Sequence, residues 1–89
     1  MSRNPSIKAV ETGDEYIHVR FRDPDEFDEI RTPDWAKNTA GSISSGSEVR
    51  MGRKKGSDDW TVQSVLVKKT VGESKARDQA RKIRDKIES

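Results

Sequence analysis

The stretch Asp59-Trp60-Thr61-Val62-Gln63-Ser64-Val65-Leu66-Val67-Lys68-Lys69 holds the densest run of apolar side chains in the sequence. Tryptophan and β-branched residues favour a pleated sheet, and glycine-containing polar segments bound the run on both sides. Residues 59–69 are therefore predicted to form the central strand of a sheet. Because side chains alternate along a strand, Val62 and Leu66 should face one side and Val65 and Val67 the other. Both faces of the sheet should then be at least partly covered.

Length and composition favour one small folded domain. The chain has 89 residues, of which 29% are hydrophobic, and its net charge is only +2. Disorder is predicted when a low apolar content is combined with a high net charge, and here the net charge is small and the apolar residues are clustered. A folded domain with a thin core is therefore predicted. Cysteine is absent, which excludes disulfides and thiolate metal sites. Without a leader pattern or a run of ~20 apolar residues, a cytoplasmic protein with no membrane partner is expected.

The strand pattern indicates how the chain is divided. Residues 1–13 are predicted to be a flexible N-terminal tail or an edge strand, and residues 14–89 a single α+β domain. Strict alternation of apolar and polar side chains predicts a strand over 16–22. A short alternating segment followed by a polar, glycine-containing turn predicts a β-hairpin over 48–69.

Residues 23–47 are expected to form a long irregular segment. Asp23 is placed to act as an N-cap, Pro24 to take the first helical position, and Glu26 to close a capping box. A break is expected before Pro33, because a residue that precedes proline avoids the helical region. Two short turns and a flexible Gly/Ser connector are therefore predicted here.

The C-terminal residues 74–88 are predicted to form a helix with Ser74 as its N-cap. Its apolar positions follow helical spacing and define one narrow stripe: Ala76, Ala80, Ile83 and Ile87. The predicted fold is a small two-layer α+β domain, in which an antiparallel sheet of three to four strands has this one C-terminal helix packed on one face.

Charge is distributed unevenly along the chain. Residues 1–48 carry ten acids and six bases, whereas residues 49–89 carry six acids and twelve bases. Such a split is typical of a dipolar molecule whose basic half faces a polyanion, and it also fits an ordinary solvated surface.

No arrangement of residues predicts an enzyme or a metal site. The single histidine, His18, lies on a polar strand face without a recognisable nucleophile beside it. The acidic run at 23–29 does not follow the ligand order of an EF-hand loop, and no glycine-rich phosphate loop is present. A non-enzymatic module without a cofactor is therefore expected.

Nucleic-acid binding is the leading functional prediction, with DNA or RNA as the partner. The hairpin tip and the end of the central strand are basic, and lysine or arginine side chains gain affinity by neutralising phosphates. The predicted phosphate contacts are Arg50, Arg53, Lys54, Lys55, Lys68 and Lys69. The predicted stacking or groove-facing residues are Tyr16, Arg20 and Arg22.

The hairpin followed by Val71-Gly72-Glu73-Ser74-Lys75-Ala76-Arg77-Asp78-Gln79-Ala80 resembles the end of a double-stranded RNA-binding domain. In that family a strand leads through a short glycine-containing loop into a helix whose first basic residues contact phosphate. The resemblance implies this role for Lys75 and Arg77. The chain departs from the family in lacking its N-terminal helix and the Lys-Lys pair before this helix, so the likeness is one of layout.

A protein-interaction or homodimeric module is the alternative prediction. Phe27, Ile30 and Trp35 lie in an acidic segment, and large apolar anchors among charges are typical of interface hot spots. The same three side chains are expected instead to complete the small core, which is the favoured interpretation. Pairing with another protein, or with a second copy, through an exposed edge strand is also open.

Overall fold

The computed structural model describes residues 7–88. Its helices and strands, in chain order, are β1 (Ala9–Thr12), β2 (Tyr16–Arg20), β3 (Glu29–Arg31), α1 (Asp34–Ile43), β4 (Glu48–Arg53), β5 (Trp60–Lys68) and α2 (Glu73–Glu88). The strands form one sheet in the order β1-β2-β5-β4-β3, and every neighbouring pair is antiparallel. The α+β class is confirmed, but the sheet has five strands rather than three to four.

The central position predicted for residues 59–69 is confirmed, since β5 lies between β2 and β4. Residues 9–12 of the N-terminal segment form β1, the edge strand beside β2. Residues 1–6, which the predicted tail also included, lie outside the described part. Neither helix in residues 7–88 combines the length and the apolar character that crossing a membrane requires.

The prediction of a long irregular segment at 23–47 is wrong, because this segment contains β3 and α1. β3 is only three residues long, too short for alternation to be recognised. The sequence of α1, DWAKNTAGSI, is rich in residues that favour turns. Its Ala36 and Ala40 are nevertheless fully buried in the core, so tertiary packing overrides the weak local propensity.

The predicted capping box is confirmed, and it opens a single 3₁₀ turn at Pro24–Glu26. The Asp23 carboxylate accepts a hydrogen bond from the Asp25 backbone N–H at 2.9 Å. The Glu26 carboxylate accepts one from the Asp23 N–H at 3.0 Å. These two bonds satisfy donors that a helix start would otherwise leave unpaired.

Both helices cover one side of the sheet, here called the core face, and the opposite side is called the open face. The predicted stripe of α2 is confirmed, since Ala76, Ala80 and Ile83 are fully buried and Ile87 packs at the margin of the core. The predicted N-cap is displaced, because α2 begins at Glu73, after a glycine with positive φ.

A β-bulge at Gln63 interrupts the alternation of β5. Met51 of β4 pairs with Val62, and the preceding Arg50 pairs with Ser64, so Gln63 has no partner on β4. The extra residue shifts the alternation by one position. Val62 and Val65 consequently belong to the same buried core, and the prediction that they face opposite sides is wrong.

The side chains of Arg22 and Glu88 pair with the backbone beside this bulge, and together they are called the bulge clamp. The Val62 N–H donates to the Glu88 carboxylate at 2.7 Å, and the Val62 carbonyl accepts from the Arg22 guanidinium at 2.7 Å. Arg22 also donates to Glu88 at 2.8 Å. The clamp therefore joins the segment that follows β2, the bulge in β5 and the last turn of α2.

The segment 23–47 lies against both faces of the sheet. Its helix α1 packs on the core face. On the open face, the Phe27 ring occupies the space above Gly52, where an added Cβ would overlap it. Glycine at this position lets the ring contact the strand backbone directly.

Replacing Glu88 with alanine tests the bulge clamp. The substitution leaves the Val62 N–H and the Arg22 guanidinium without their acceptor in a site where both side chains are mostly buried. The expected loss of unfolding free energy is about 2 kcal/mol, measured by urea denaturation followed by circular dichroism. Asp78→Ala is the matched control, because it removes only an exposed pair with Arg81; a change below about 0.5 kcal/mol is expected there. Equal losses in the two variants would contradict the clamp.

Candidate functional site

The basic groups predicted to contact phosphate do not converge. The hairpin tip, with Lys54 and Lys55, follows β4 at one end of the sheet, whereas Lys68 and Lys69 lie at the far end of β5. β5 has nine residues, so these ends are about 26 Å apart at ~3.3 Å per residue. A ligand that contacted both groups would have to run along the sheet.

Four of the nine predicted nucleic-acid contacts already form ion pairs. Arg22 belongs to the bulge clamp. The other three pairs are Arg20 with Glu11, Arg53 with Glu29 at 3.0 Å, and Lys54 with Glu26 at 3.8 Å. These side chains stabilise the fold or are neutralised locally, which weakens them as free phosphate contacts.

The predicted stacking ring of Tyr16 is also engaged. Its hydroxyl donates to the Glu48 carboxylate at 3.1 Å, and the Lys68 ammonium lies 5.2 Å from the ring centroid. Within residues 7–88, three predicted contacts are exposed and have no side-chain partner: Arg50, Lys55 and Lys69.

The open face places cations and acids side by side. Arg20 and Arg50 both pair in register with Ser64, so the two residues flank it on the same face of the sheet. Glu11 forms an ion pair with Arg20, and Glu48 lies on the same face, two residues before Arg50 on β4. The face is therefore a mixed surface rather than a continuous basic one.

Of the two helix residues that the RNA-binding resemblance assigned to phosphate, Lys75 is exposed. Arg77 is half-buried and lies 3.6 Å from Glu73 on the preceding helical turn. Arg84, two turns further along α2, is buried, with its guanidinium 4.7 Å from the centre of the Phe21 ring.

One concave surface, here called the aromatic cleft, is lined by Arg31, Pro33, Trp35 and Trp60 and has a volume of about 200 Å³. It lies where the end of β3, the start of α1 and the start of β5 meet. Trp60 packs partly against the core, while Trp35 is 54% exposed. Ile30, on β3, is the other large apolar side chain exposed in the described region.

The expectation that Trp35 and Ile30 complete the core is wrong. In α1 the buried positions are Ala36 and Ala40, and successive residues of a helix are rotated by about 100°. Trp35 therefore points away from the packed side of the helix. Phe27, the third residue of that prediction, is half-buried over Gly52 on the open face.

An ionic network fixes one wall of the aromatic cleft. The Glu29 carboxylate accepts hydrogen bonds from Arg53 at 3.0 Å and from Arg31. The two guanidinium groups lie 5.7 Å (Arg31) and 5.8 Å (Arg53) from the centre of the Trp60 ring. The hydrogen bond from Arg53, followed by that from Arg31, lowers the pKa of Glu29 below the ordinary glutamate value.

Aspartates also occur on the chain segments that form the cleft, but none of them lines it. Four aspartates adjoin it in sequence, and all are exposed without an ion pair to another described residue: Asp28, Asp34, Asp58 and Asp59. Asp59 lines a different concave surface together with Arg22 and Lys54, and Glu29 carries one negative charge against the two guanidinium groups of Arg31 and Arg53. The side chains that line the cleft therefore carry no net negative charge.

The cleft was not predicted from the sequence. Its residues come from segments that meet only through the pairing of β3 with β4 and of β4 with β5. The available signal was the presence of both tryptophans beside aspartate, in Asp34-Trp35 and Asp59-Trp60. That pattern does not reveal that the two rings lie together.

No group of three or more His, Cys, Asp or Glu side chains within the described residues is arranged to hold a metal ion. Comparison of the chain with protein-family models, curated proteins and solved structures gave no match. The chemistry of the site is therefore the basis for a functional proposal.

Replacing Arg53 with glutamine tests the ionic network. Because the Arg53 hydrogen bond is the main cause of the lowered pKa of Glu29, the substitution should return that pKa toward its ordinary range. NMR titration of the Glu29 carboxyl measures the change, and Arg50→Gln, on the open face, should leave it unaltered.

The lowered pKa of Glu29 also determines how the stability of the fold changes with pH. A carboxyl whose pKa is lowered by folding stabilises the fold above its unfolded pKa, and this contribution is lost as the pH falls through the folded pKa. The Arg53→Gln chain should therefore lose less stability on acidification than the parent. An unchanged Glu29 pKa in that variant would contradict the network.

Proposed function

We propose that the chain is a small non-enzymatic protein-binding module whose binding site is the aromatic cleft. The observation that carries the proposal is the exposure of Trp35, at 54%, beside the partly buried Trp60 and Pro33. Solvent-exposed tryptophan in a concave site is the typical anchor of a protein interface, since it buries a large apolar area when a partner binds.

The make-up of the cleft supports binding rather than catalysis. Its lining consists of one arginine, one proline and two tryptophans, and none of these side chains is a nucleophile. The only histidine, His18, belongs to β2, on the open face. The lining supplies shape, apolar area and hydrogen-bond donors.

The lining favours a protein partner over a polyanion at this cleft. Two indole rings and a proline ring offer apolar area, and Arg31, the charged member of the lining, is already paired with Glu29. An apolar side chain of a partner protein would bury more of this surface than a phosphate backbone would.

Selection of displayed random peptides on the parent chain, with counter-selection on Trp35→Ala, tests this proposal. Enriched sequences should bind the parent at least about tenfold more tightly than the variant, because a buried aromatic anchor contributes more than ~1.4 kcal/mol. Lys37→Ala, an exposed change on the same helix, is the control and should bind like the parent. Peptides that bind Trp35→Ala as tightly as the parent would contradict the proposal.

Nucleic-acid binding through the open face is a second candidate, supported by a different set of residues. Arg50 is exposed without a partner in the described structure and stands beside Arg20 across Ser64. Lys68 and Lys69 are exposed at the end of β5. A single-stranded or duplex nucleic acid lying along the sheet would contact these cations and the Tyr16 edge.

Fluorescence anisotropy with labelled single- and double-stranded DNA and RNA, over a range of salt concentrations, tests this second candidate. The joint change Arg50→Ala and Lys68→Ala should reduce the slope of log K against log salt by about 0.9 per lost phosphate contact on duplex DNA. The joint change Lys54→Ala and Lys55→Ala measures the hairpin tip separately, and Lys37→Ala is the control on α1. Absence of salt-sensitive binding at low salt would exclude this candidate.

A further inference from the structure

The free edge of the sheet at β3 is suited to pairing with a second copy of the chain. β3 lies at the end of the strand order and pairs with β4, so its other edge has no strand beside it within residues 7–88. A strand in this position presents backbone N–H and C=O groups that a further strand can pair with. We propose that the chain forms a symmetric dimer in which β3 pairs antiparallel with β3 of a second copy, with Ile30 at the two-fold axis. This dimer goes beyond the proposed function and does not depend on the ligand of the aromatic cleft.

The charges on β3 are self-complementary. Its three residues are Glu29, Ile30 and Arg31. In an antiparallel pair centred on Ile30, Glu29 of each copy lies directly opposite Arg31 of the other copy, and the two Ile30 residues lie opposite one another. Opposite charges at directly paired positions stabilise a sheet. The symmetric interface therefore contains two matched ion pairs and one apolar contact.

The same charges select this register over its neighbours. Paired side chains of two antiparallel strands point to the same face, so a symmetric pairing must place one residue opposite its own copy. A pair centred on Glu29 would place two carboxylates opposite each other, and a pair centred on Arg31 would do the same with two guanidinium groups. Like charges at directly paired positions destabilise a sheet. Within β3, the register centred on Ile30 is the one that avoids this repulsion.

The ionic network inside each chain is compatible with the dimer. Glu29 lies in register with Arg53 of β4 and accepts its hydrogen bond at 3.0 Å, while Arg31 reaches the same carboxylate from two residues along its own strand. The Arg31 side chain is 68% exposed, so it can reach across the edge of the sheet to Glu29 of the second copy. Charges would then alternate along one row of the joined sheets, from Arg53 to Glu29 and on to Arg31 of the second copy.

Exposed apolar side chains also lie on this side of the molecule. Within the described residues, the large apolar side chains that remain exposed are Ile30, at 39%, and Trp35, which follows β3 at the start of α1. Ile30 pairs in register with Gly52, where the Phe27 ring lies over the open face of the strand. A second Ile30 opposite the first would cover apolar surface that the single chain leaves in solvent.

The opposite edge of the sheet lacks these features. β1 consists of Ala9, Val10, Glu11 and Thr12, and Glu11 already forms an ion pair with Arg20 of β2. A symmetric pair centred on Val10 would place Ala9 opposite Glu11 and would form no ion pair. Val10 is also packed against the core of its own chain. β1 therefore provides a control edge in the same sheet.

Sedimentation equilibrium tests the dimer at chain concentrations between about 10 μM and about 1 mM, because an interface built on a short strand is expected to be weak. The average mass should rise from that of the 10.1 kDa chain toward twice that value. Ile30→Lys should remain monomeric at the highest concentration, since it places two ammonium groups at the axis. Ala9→Lys, the same change of charge at an exposed position on β1, should associate like the parent.

Exchanging the charges tests the register. Arg31→Glu and Glu29→Arg each place like charges opposite one another in a symmetric dimer, so each variant alone should associate at least about tenfold more weakly than the parent. An equimolar mixture of the two variants should associate again, because one chain then carries two acids and the other two bases at the paired positions. Circular dichroism spectra like that of the parent show that both variants fold.

Three results would overturn the dimer: a monomer throughout the concentration range, association that Ile30→Lys leaves unchanged, and no recovery of association in the mixture of the two charge variants. Loss of association in Ile30→Lys, with recovery in that mixture, is the supporting result. The display selection remains a separate test of the aromatic cleft, because it depends on Trp35 and not on association of the chain.

Discussion

The β-bulge at Gln63 is the constraint on which the rest of the structure depends. Because it shifts the alternation of β5 by one residue, Trp60 and Val62 lie on the same face as Val65 and the helices. Without the extra residue, Trp60 would lie on the open face and would not meet the start of α1. The bulge also interrupts the backbone pairing of β5, and the clamp formed by Arg22 and Glu88 supplies partners for the Val62 N–H and carbonyl. One local irregularity thus positions the aromatic cleft and ties the last turn of α2 to the sheet.

The core is small, and both helices pack against the sheet through alanine side chains. Ala36 and Ala40 of α1, and Ala76 and Ala80 of α2, are fully buried, so each helix can approach its neighbours closely. Trp35 is rotated away from these buried positions of α1, and it consequently remains outside the core. The exposed tryptophan is therefore a result of how the helix packs. An apolar side chain of this size that folding leaves in solvent adds to affinity only when a partner covers it.

The sequence predicted the features that depend on local patterns. The central strand, the capping box at Asp23 and the buried stripe of α2 all follow from residues close together in the chain, and the structure confirms them. The features that it did not predict depend on distant contacts. β3 is too short to show a periodic pattern. Tertiary packing stabilises α1 even though its residues favour turns. The position of a bulge is set by the registers of both neighbouring strands. The cleft depends on all three features. From the sequence, Trp60 is therefore assigned to the central strand and Trp35 to the core, and nothing indicates that the two rings meet.

The pairing of charges changes how the basic composition should be interpreted. The C-terminal half carries an excess of cations, but several of them are committed inside the molecule: Arg22 to the bulge clamp, Arg53 to Glu29, and Arg84 to the Phe21 ring. On the acidic side, Glu29 of the N-terminal half is shared between Arg31 and Arg53. The excess of bases in the C-terminal half therefore overstates the positive charge that the surface offers to a ligand. Since only exposed charges that are not already paired can select a ligand, the basic composition does not by itself identify a polyanion as the partner.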